Sequence, residues 1–234
     1  MPSEGCVLVT GAAGALGRAV VAHFAAGGAR LALLDRAGSA LDSLASGLPA
    51  GTALALPTEL LDAAAVASSV NRAVERFGGI AAAVHLAGGF TMGESVAETT
   101  AQTWQRMLDL NVNTMLHSAA AVVPVMRRAR RGTIVNVGAA AALKGAAKMG
   151  AYIASKSALM RLTESMSAEL REDGINVNAV LPSIIDTPAN RASMPDADPR
   201  RWVAPEALAA VLGFLASDAA RAIHGALIPV TGLV

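Results

Sequence analysis

The strongest constraint on the fold is a regular alternation of short apolar runs with longer segments of helical periodicity. Seven apolar runs are predicted to be strands: Cys6–Val9, Arg30–Leu34, Thr52–Leu56, Ile80–Leu86, Gly132–Val137, Ile175–Leu181 and Ala226–Val230. The segments between them are predicted to hold helices: Gly14–Ala26, Leu41–Ser46, Asp62–Phe77, Gln102–Arg128, Gly150–Leu170 and Pro205–Ala216. Apolar strands that alternate with helices predict a parallel sheet with helices on both faces. The sequence therefore predicts an α/β fold with a doubly wound, seven-stranded parallel sheet.

No linker or repeat interrupts this order, so we expect one domain over residues 1–234, with a loop rich in Pro and Asp from Pro182 to about Arg201. Hydrophobic residues make up 53% of the chain but aromatic residues only 3%, so Ala, Val and Leu must form the core. A net charge of +1 favours neither a nucleic-acid partner nor a membrane partner. A single cysteine, Cys6, excludes an intrachain disulfide and suggests a cytoplasmic protein. The four histidines show no metal-ligand spacing, so no metal site is expected.

A glycine-rich turn lies between the first predicted strand and the first predicted helix, with Gly11, Gly14 and Gly17 in the segment Thr10–Gly17. Small residues at this place let the backbone approach a pyrophosphate, which then meets the free N–H groups of the helix. An ordinary strand-to-helix turn is the alternative. The position of the turn, directly after the first strand, indicates a Rossmann-type dinucleotide site.

Asp35 ends the second predicted strand, where an acidic side chain can accept hydrogen bonds from the adenosine ribose and repel a 2′-phosphate. This favours NAD(H) as the cofactor. The neighbouring Arg36 can contact a phosphate, so NADP(H) stays open. A cap on the following helix is the alternative role for Asp35.

Tyr152 and Lys156 are four residues apart near the start of a long predicted helix, so their side chains share one face. A phenol has a pKa near 10, too high for proton exchange at neutral pH. We expect the ammonium of Lys156 to lower the pKa of Tyr152 and to bind the nicotinamide ribose.

Together these motifs resemble the short-chain dehydrogenase/reductase family, over nearly the whole chain. The resemblance implies that Tyr152 is the general acid/base, that Lys156 activates it and that Asn111 supports a water-mediated proton relay. It also implies a small-molecule substrate and a homodimer or homotetramer formed through the two longest helices. The cofactor-binding residues implied by the resemblance are Gly11, Ala13, Gly14, Ala15, Leu16, Gly17, Asp35, Arg36, Glu59, Leu60, Ala87, Gly88, Gly89, Tyr152, Lys156, Pro182, Ile185 and Thr187.

The sequence departs from the family pattern at the catalytic serine. That residue is expected about 13 positions before Tyr152, where this chain has Ala139, and no serine lies between Val137 and Ala151. Losing a donor to the substrate oxygen typically costs ~10²–10³ in rate for a carbonyl substrate. Ordinary alcohol or ketone chemistry is therefore in question.

The closest branch is that of the dihydropteridine reductases, which reduce quinonoid dihydropterins with NADH. They resemble this chain in the glycine turn, where the middle glycine is shifted to Gly14 and Ala15 fills its usual place. They also resemble it in Ala87-Gly88-Gly89, in the absence of the serine and in the loop Asp186–Asp198. We expect an NADH-linked reductase of a quinonoid dihydropterin or a related electrophile. A carbonyl reductase of another substrate and a catalytically weak dinucleotide-binding sensor or assembly protein are the alternatives.

Overall fold

All seven predicted strands lie in one parallel sheet in the computed structural model, which describes residues 5–234. The strands are β1 Cys6–Thr10, β2 Leu31–Asp35, β3 Ala53–Pro57, β4 Ile80–His85, β5 Gly132–Val137, β6 Ile175–Pro182 and β7 Leu227–Val230. Their order across the sheet is β3-β2-β1-β4-β5-β6-β7. The Rossmann-type, doubly wound sheet is therefore confirmed. Residues 1–4 of the predicted domain 1–234 lie outside the described residues.

Helices cover both faces of this sheet. They are α1 Ala15–Ala26, α2 Ser39–Ser46, α3 Ala63–Phe77, α4 Ala101–Leu108, α5 Thr114–Ala129, α6 Gly150–Leu170, α7 Pro188–Ser193 and α8 Pro205–Leu215. One apolar core joins α1, α2 and α8 to the sheet, and Phe24 and Leu212 are fully buried in it. A second core joins α3 and α5 to the other face, around Val70 and Met126. Because helices cover both faces, most positions of the central strands are apolar, and β6 is buried at every position, including Asn176 and Asn178.

The predicted helix Gln102–Arg128 is wrong in one respect, because a π-helical turn at Asp109–Asn113 separates α4 from α5. Asn111 lies at the middle of this turn, and its side chain is hydrogen-bonded to residues far away in the sequence. The hydrophobic periodicity of the segment carries no information about such long-range contacts. Turns of this kind often occur at functional sites.

The predicted loop from Pro182 to about Arg201 also contains a helix, α7. Thr187 begins it, because its Oγ1 accepts a hydrogen bond from the N–H of Asn190 at 3.2 Å, and Pro188 follows in the first helical position. A threonine followed by a proline is a recognisable helix start, so this helix was detectable in the sequence.

Two features of the described residues bear on the predicted membrane and metal partners. No helix among residues 5–234 is both long and apolar enough to cross a bilayer. Within the same range, no group of three or more His, Cys, Asp or Glu side chains is placed to hold a metal ion.

Candidate active site

The turn between β1 and α1 is tight enough to require glycine. Gly11 has a φ of +69°, and a Cβ there would lie 2.9 Å from the N atom of Ala87 in the turn after β4. A Cβ at Gly17 would collide with the backbone carbonyls of Gly11 and Ala12. The helix N-terminus at Gly14 has no side-chain cap, so its first N–H groups are free to face a ligand. These residues form a glycine cradle at a helix N-terminus, which is the kind of backbone arrangement that binds phosphate groups in other proteins.

Asp35 is fixed at the end of β2 beside this turn. Its Oδ2 accepts a hydrogen bond from the N–H of Ala13 at 2.9 Å, and its Oδ1 accepts one from the N–H of Arg36 at 2.8 Å. The alternative role as a helix cap is wrong, because α2 begins after Gly38 and has no side-chain cap. The carboxylate is therefore held in place by the turn that it supports.

A cleft of about 980 Å³ runs along the carboxyl ends of β1, β2, β3 and β4. It crosses the point between β1 and β4 where the strand order reverses, which is where open α/β sheets bind ligands. The predicted residues that line it are Gly11, Gly14, Asp35, Arg36, Glu59, Leu60, Ala87, Gly88 and Gly89. A smaller pocket of about 410 Å³ beside the turn is lined by Ala15, Leu16, Gly17 and Thr187. The sequence predictions thus converge on one edge of the sheet.

Five predicted cofactor residues line neither the cleft nor the smaller pocket: Ala13, Tyr152, Lys156, Pro182 and Ile185. Two of these, Pro182 and Ile185, are held by contacts away from the turn. Pro182 ends β6 and pairs with Val230, and Ile185 pairs with Val203 while it packs against the core under α1 and α8. A cofactor role for these two residues stays a prediction.

Three elements meet at the inner end of the cleft. A Cβ at Gly88 would lie 2.9 Å from Oδ1 of Asn111 and 3.3 Å from Nζ of Lys156. The turn after β4, the π-helical turn and α6 therefore bring the predicted catalytic residues together. A glycine is needed at position 88 because both neighbours are polar atoms that are held in place.

Lys156 is almost fully buried, and its Nζ donates a hydrogen bond to the carbonyl of Val137 at 2.8 Å. Burial lowers the pKa of Lys156 to about 8, because the interior disfavours the ammonium form. The amine can therefore change its charge near neutral pH.

The side chain of Asn111 positions its surroundings. Its Oδ1 accepts a hydrogen bond from the N–H of Gly89 at 2.9 Å, and its Nδ2 donates to the carbonyl of Gly89 and to Oγ of Ser155, each at 3.0 Å. Both amide hydrogens are used in these contacts. The predicted proton relay through Asn111 stays a prediction.

Tyr152 lies on α6, one turn before Lys156, and burial raises its pKa to about 12. The expected lowering by the ammonium of Lys156 is not seen, because desolvation of the phenolate is the dominant cause. The phenol of Tyr152 therefore keeps its proton at neutral pH, and its predicted role as general acid/base stays a prediction. The ring of Phe90 packs edge-to-face against it, with 4.9 Å between the ring centres.

Ala139 follows β5 and is 4% exposed. It belongs to a small apolar cluster with Ile153, Met160 and Leu181, against which Tyr152 packs. The surroundings of Ala139 are thus apolar, and the replacement of a catalytic serine at this position stays a prediction.

Sequence reasoning missed several residues of the cleft. Its wall also includes Thr58, Leu61, Leu86, Phe90, Gln102, Gln105, Arg106, Asp109, Leu110 and Thr114. Half of them belong to α4 and the π-helical turn, whose orientation depends on tertiary contacts. Only Phe90 carried a local signal, as an aromatic residue directly after a glycine pair that was predicted to face the cofactor.

His85 is a structural residue in this fold. Its Nδ1 lies 2.8 Å from Oδ1 of Asn136, and Nδ2 of Asn136 donates to Oγ1 of Thr163 at 2.9 Å. Burial lowers the pKa of His85 to about 4, so the ring is neutral at physiological pH. This chain of hydrogen bonds ties β4, β5 and α6 together beneath the catalytic residues.

Comparison with known proteins identifies the family of the chain. The short chain dehydrogenase family model matches residues 5–198. The meso-2,3-butanediol dehydrogenase of Serratia marcescens is 33% identical over 97% of this chain and 92% of its own length. The inactive 2-(S)-hydroxypropyl-CoM dehydrogenase 2 of Xanthobacter autotrophicus is 36% identical over 88% of this chain and 94% of its own length.

The fold has equally complete structural counterparts. The 3-ketoacyl-(acyl-carrier-protein) reductase of Brucella melitensis, solved in complex with NADH, has a TM-score of 0.87 and 26% identity, and the match covers 98% of each chain. The family model spans most of the sequence, and the relatives match almost from end to end. This chain therefore belongs to the short-chain dehydrogenase/reductase family.

Proposed function

We propose that this protein is an NADH-linked reductase of a conjugated electrophile, such as a quinonoid dihydropterin, and that Tyr152 donates the proton. The observation that carries the proposal is the apolar cluster around Ala139, which faces a tyrosine that burial keeps protonated. A substrate in this place has one proton donor and no second hydroxyl from the position of Ala139. Such a site suits a substrate that is electrophilic before it binds.

The residues of the cleft fit a nicotinamide dinucleotide. The glycine cradle would hold the pyrophosphate, and Asp35 would accept hydrogen bonds from the adenosine ribose. A carboxylate fixed by two backbone N–H groups would repel a 2′-phosphate, which favours NADH over NADPH. Arg36 lines the same cleft, so binding of NADPH is the alternative.

The cofactor would supply a hydride to the electrophilic centre of the substrate. Tyr152 would donate its hydroxyl proton to the nitrogen or oxygen atom that gains electron density, and would regain a proton from solvent. Lys156 would place its ammonium against the nicotinamide ribose while Val137 anchors it. Asn111 would hold the turn at Gly89, and with it the inner wall of the cleft.

The substrate class follows from the missing donor. An unactivated ketone gains reactivity when two donors polarise its oxygen, and an oxyanion donor is typically worth ~10²–10³ in rate. A quinonoid imine is reactive without such polarisation. The resemblance of the loop Asp186–Asp198 to dihydropteridine reductases makes the quinonoid dihydropterin the first substrate to test.

Two other functions have specific support. The butanediol dehydrogenase relative favours a reductase of small ketones, in which another group replaces the serine. The relative named as inactive favours a dinucleotide-binding protein with little turnover. Each alternative predicts a different response to the same set of substrates.

The test is NADH oxidation by the wild-type protein with quinonoid dihydropterin, benzoquinone, acetoin and cyclohexanone. We expect turnover with the first two substrates and a loss of ~10²–10⁴ in Tyr152→Phe, which keeps the ring and removes the proton donor. The affinity for NADH should stay within about twofold. Turnover of ketones alone would support the carbonyl reductase, and NADH binding without any turnover would support the sensor.

We also propose that the protein is a homodimer or homotetramer formed through α4, α5 and α6. Trp104 on α4 is 44% exposed and Leu116 on α5 is 38% exposed. Trp104 lines a pocket of about 530 Å³ together with Ala151 and Ala154 of α6. Small residues beside an exposed tryptophan allow close packing of helices from a second copy.

A further inference from the structure

Phe90 is an exposed aromatic residue inside the cleft. It follows Ala87-Gly88-Gly89 directly, lines the cleft and is 57% exposed. Its ring lies at 76° to the ring of Tyr152, with 4.9 Å between their centres. An edge-to-face contact of this kind uses only part of each ring, so the rest of Phe90 faces the cleft.

The backbone on both sides of Phe90 is fixed. Gly89 exchanges hydrogen bonds with Asn111 through both its N–H and its carbonyl, and a Cβ at Gly89 would lie 2.6 Å from Leu110. Farther along the loop, the N–H of Gly93 donates to the carbonyl of Lys148 at 2.8 Å. The ring is therefore held beside the catalytic hydroxyl by its neighbours, while it makes few contacts of its own.

The surroundings of Phe90 define what can bind against it. The Ala139 cluster forms an apolar wall against Tyr152, and Met149 packs against the same cluster. Tyr152 itself packs against this cluster, and its hydroxyl is the group that the proposed function assigns as the proton donor. A flat ring can stack on Phe90 and direct one heteroatom at that hydroxyl, whereas a saturated, puckered ring or an open chain gains less contact.

We propose that Phe90 is the residue that selects the substrate, by stacking with a planar conjugated ring whose heteroatom receives the proton of Tyr152. The inference rests on the proposed function, because it concerns the substrate of the same site. The substrate class is a planar cyclic imine or quinone. Aromatic pairs contribute ~0.5–1.5 kcal/mol beyond buried area, which is roughly two- to tenfold in affinity.

Binding of an unreactive planar ring tests the inference without turnover. The probe is lumazine, a pteridinedione, titrated calorimetrically into the full-length protein that is saturated with NAD⁺. We expect Phe90→Ala to weaken lumazine binding at least tenfold, since it removes both the stacking and the apolar area, and Phe90→Trp to keep the wild-type affinity. Met92→Ala is the matched control, because Met92 lies on the same loop and is 61% exposed.

Turnover supplies the second readout. With quinonoid dihydropterin or benzoquinone, Phe90→Ala should raise KM about tenfold, while the Kd for NADH stays within twofold. Equal lumazine affinity in Phe90→Ala and wild type, or no binding of lumazine by the wild type, would overturn the inference. If the wild type binds lumazine through Phe90 but turns over neither planar substrate, the inference stands and the proposed reaction fails.

Discussion

Ala139→Ser is the most informative single substitution in this protein, because it restores a donor where the family pattern has one. Ala139 is 4% exposed and its cluster consists of apolar side chains, so the new hydroxyl enters an apolar environment. A buried hydroxyl without a partner costs roughly 1–3 kcal/mol. For a chain of this length, each kcal/mol of lost unfolding free energy lowers Tm by roughly 2–4 °C.

The catalytic effect depends on the substrate. A donor to a developing oxyanion is typically worth ~10²–10³ in kcat. We therefore expect Ala139→Ser to raise kcat/KM for acetoin or cyclohexanone by about a hundredfold, and to change kcat/KM for quinonoid dihydropterin by less than threefold. The assay is the loss of NADH absorbance at fixed protein concentration, with Tm measured on the same samples.

Ala139→Cys is the matched control, because a thiol adds similar bulk but is a weak donor. If the ketone gain comes from the hydroxyl, the cysteine variant should lack it. A loss of pterin activity in both variants, without a gain on ketones, would refute the reasoning. It would mean that Ala139 is needed for space and that the missing donor is not what defines the substrate.

Three further predictions concern the cofactor, the catalytic amine and the assembly. Asp35→Ala should lower the ratio of the Kd for NADPH to the Kd for NADH, both measured by fluorescence titration. An unchanged ratio would show that Asp35 only supports the turn. Because burial lowers the pKa of Lys156 to about 8, its ammonium is lost as the pH rises through that value, and kcat/KM for reduction should fall above it. Lys156→Arg should move this alkaline limb to higher pH, and an unmoved limb would assign it to another group. Light scattering should give two or four times the mass of the chain, and Leu116→Glu should shift the protein towards the monomer.

The sheet was predictable because its signal is local and repeated. Each strand is a short apolar run between turn residues, and the observed bounds differ from the predicted ones by a residue or two. The glycine cradle was predictable for a similar reason, because a Cβ at Gly11 or Gly17 would lie too close to neighbouring backbone atoms. The position of Asp35 followed from the end of β2.

The π-helical turn and the wall of the cleft were not predictable in this way. Asn111 is bound to Gly89 and Ser155, which are 22 and 44 residues away in the sequence, and these contacts accompany the widened turn. The prediction that the pKa of Tyr152 is lowered was wrong for a related reason. The spacing to Lys156 showed that a charge lies nearby, but the burial that outweighs it results from the whole fold.

The raised pKa of Tyr152 constrains the order of hydride and proton transfer, and it does not select the substrate class. With a pKa of about 12, the phenol keeps its proton until the acceptor atom becomes basic. Every acceptor gains basicity when the hydride arrives, and the alkoxide formed from a ketone is more basic than the anion formed from a quinone, so this pKa alone does not separate the two substrates. The side chain of Ala139 separates them, because it offers no hydrogen-bond donor and belongs to an apolar cluster. An unactivated ketone needs a donor on its oxygen before the hydride arrives, whereas a conjugated imine or quinone is electrophilic without one. An alanine at position 139 is therefore compatible with an enzyme whose substrate is already electrophilic.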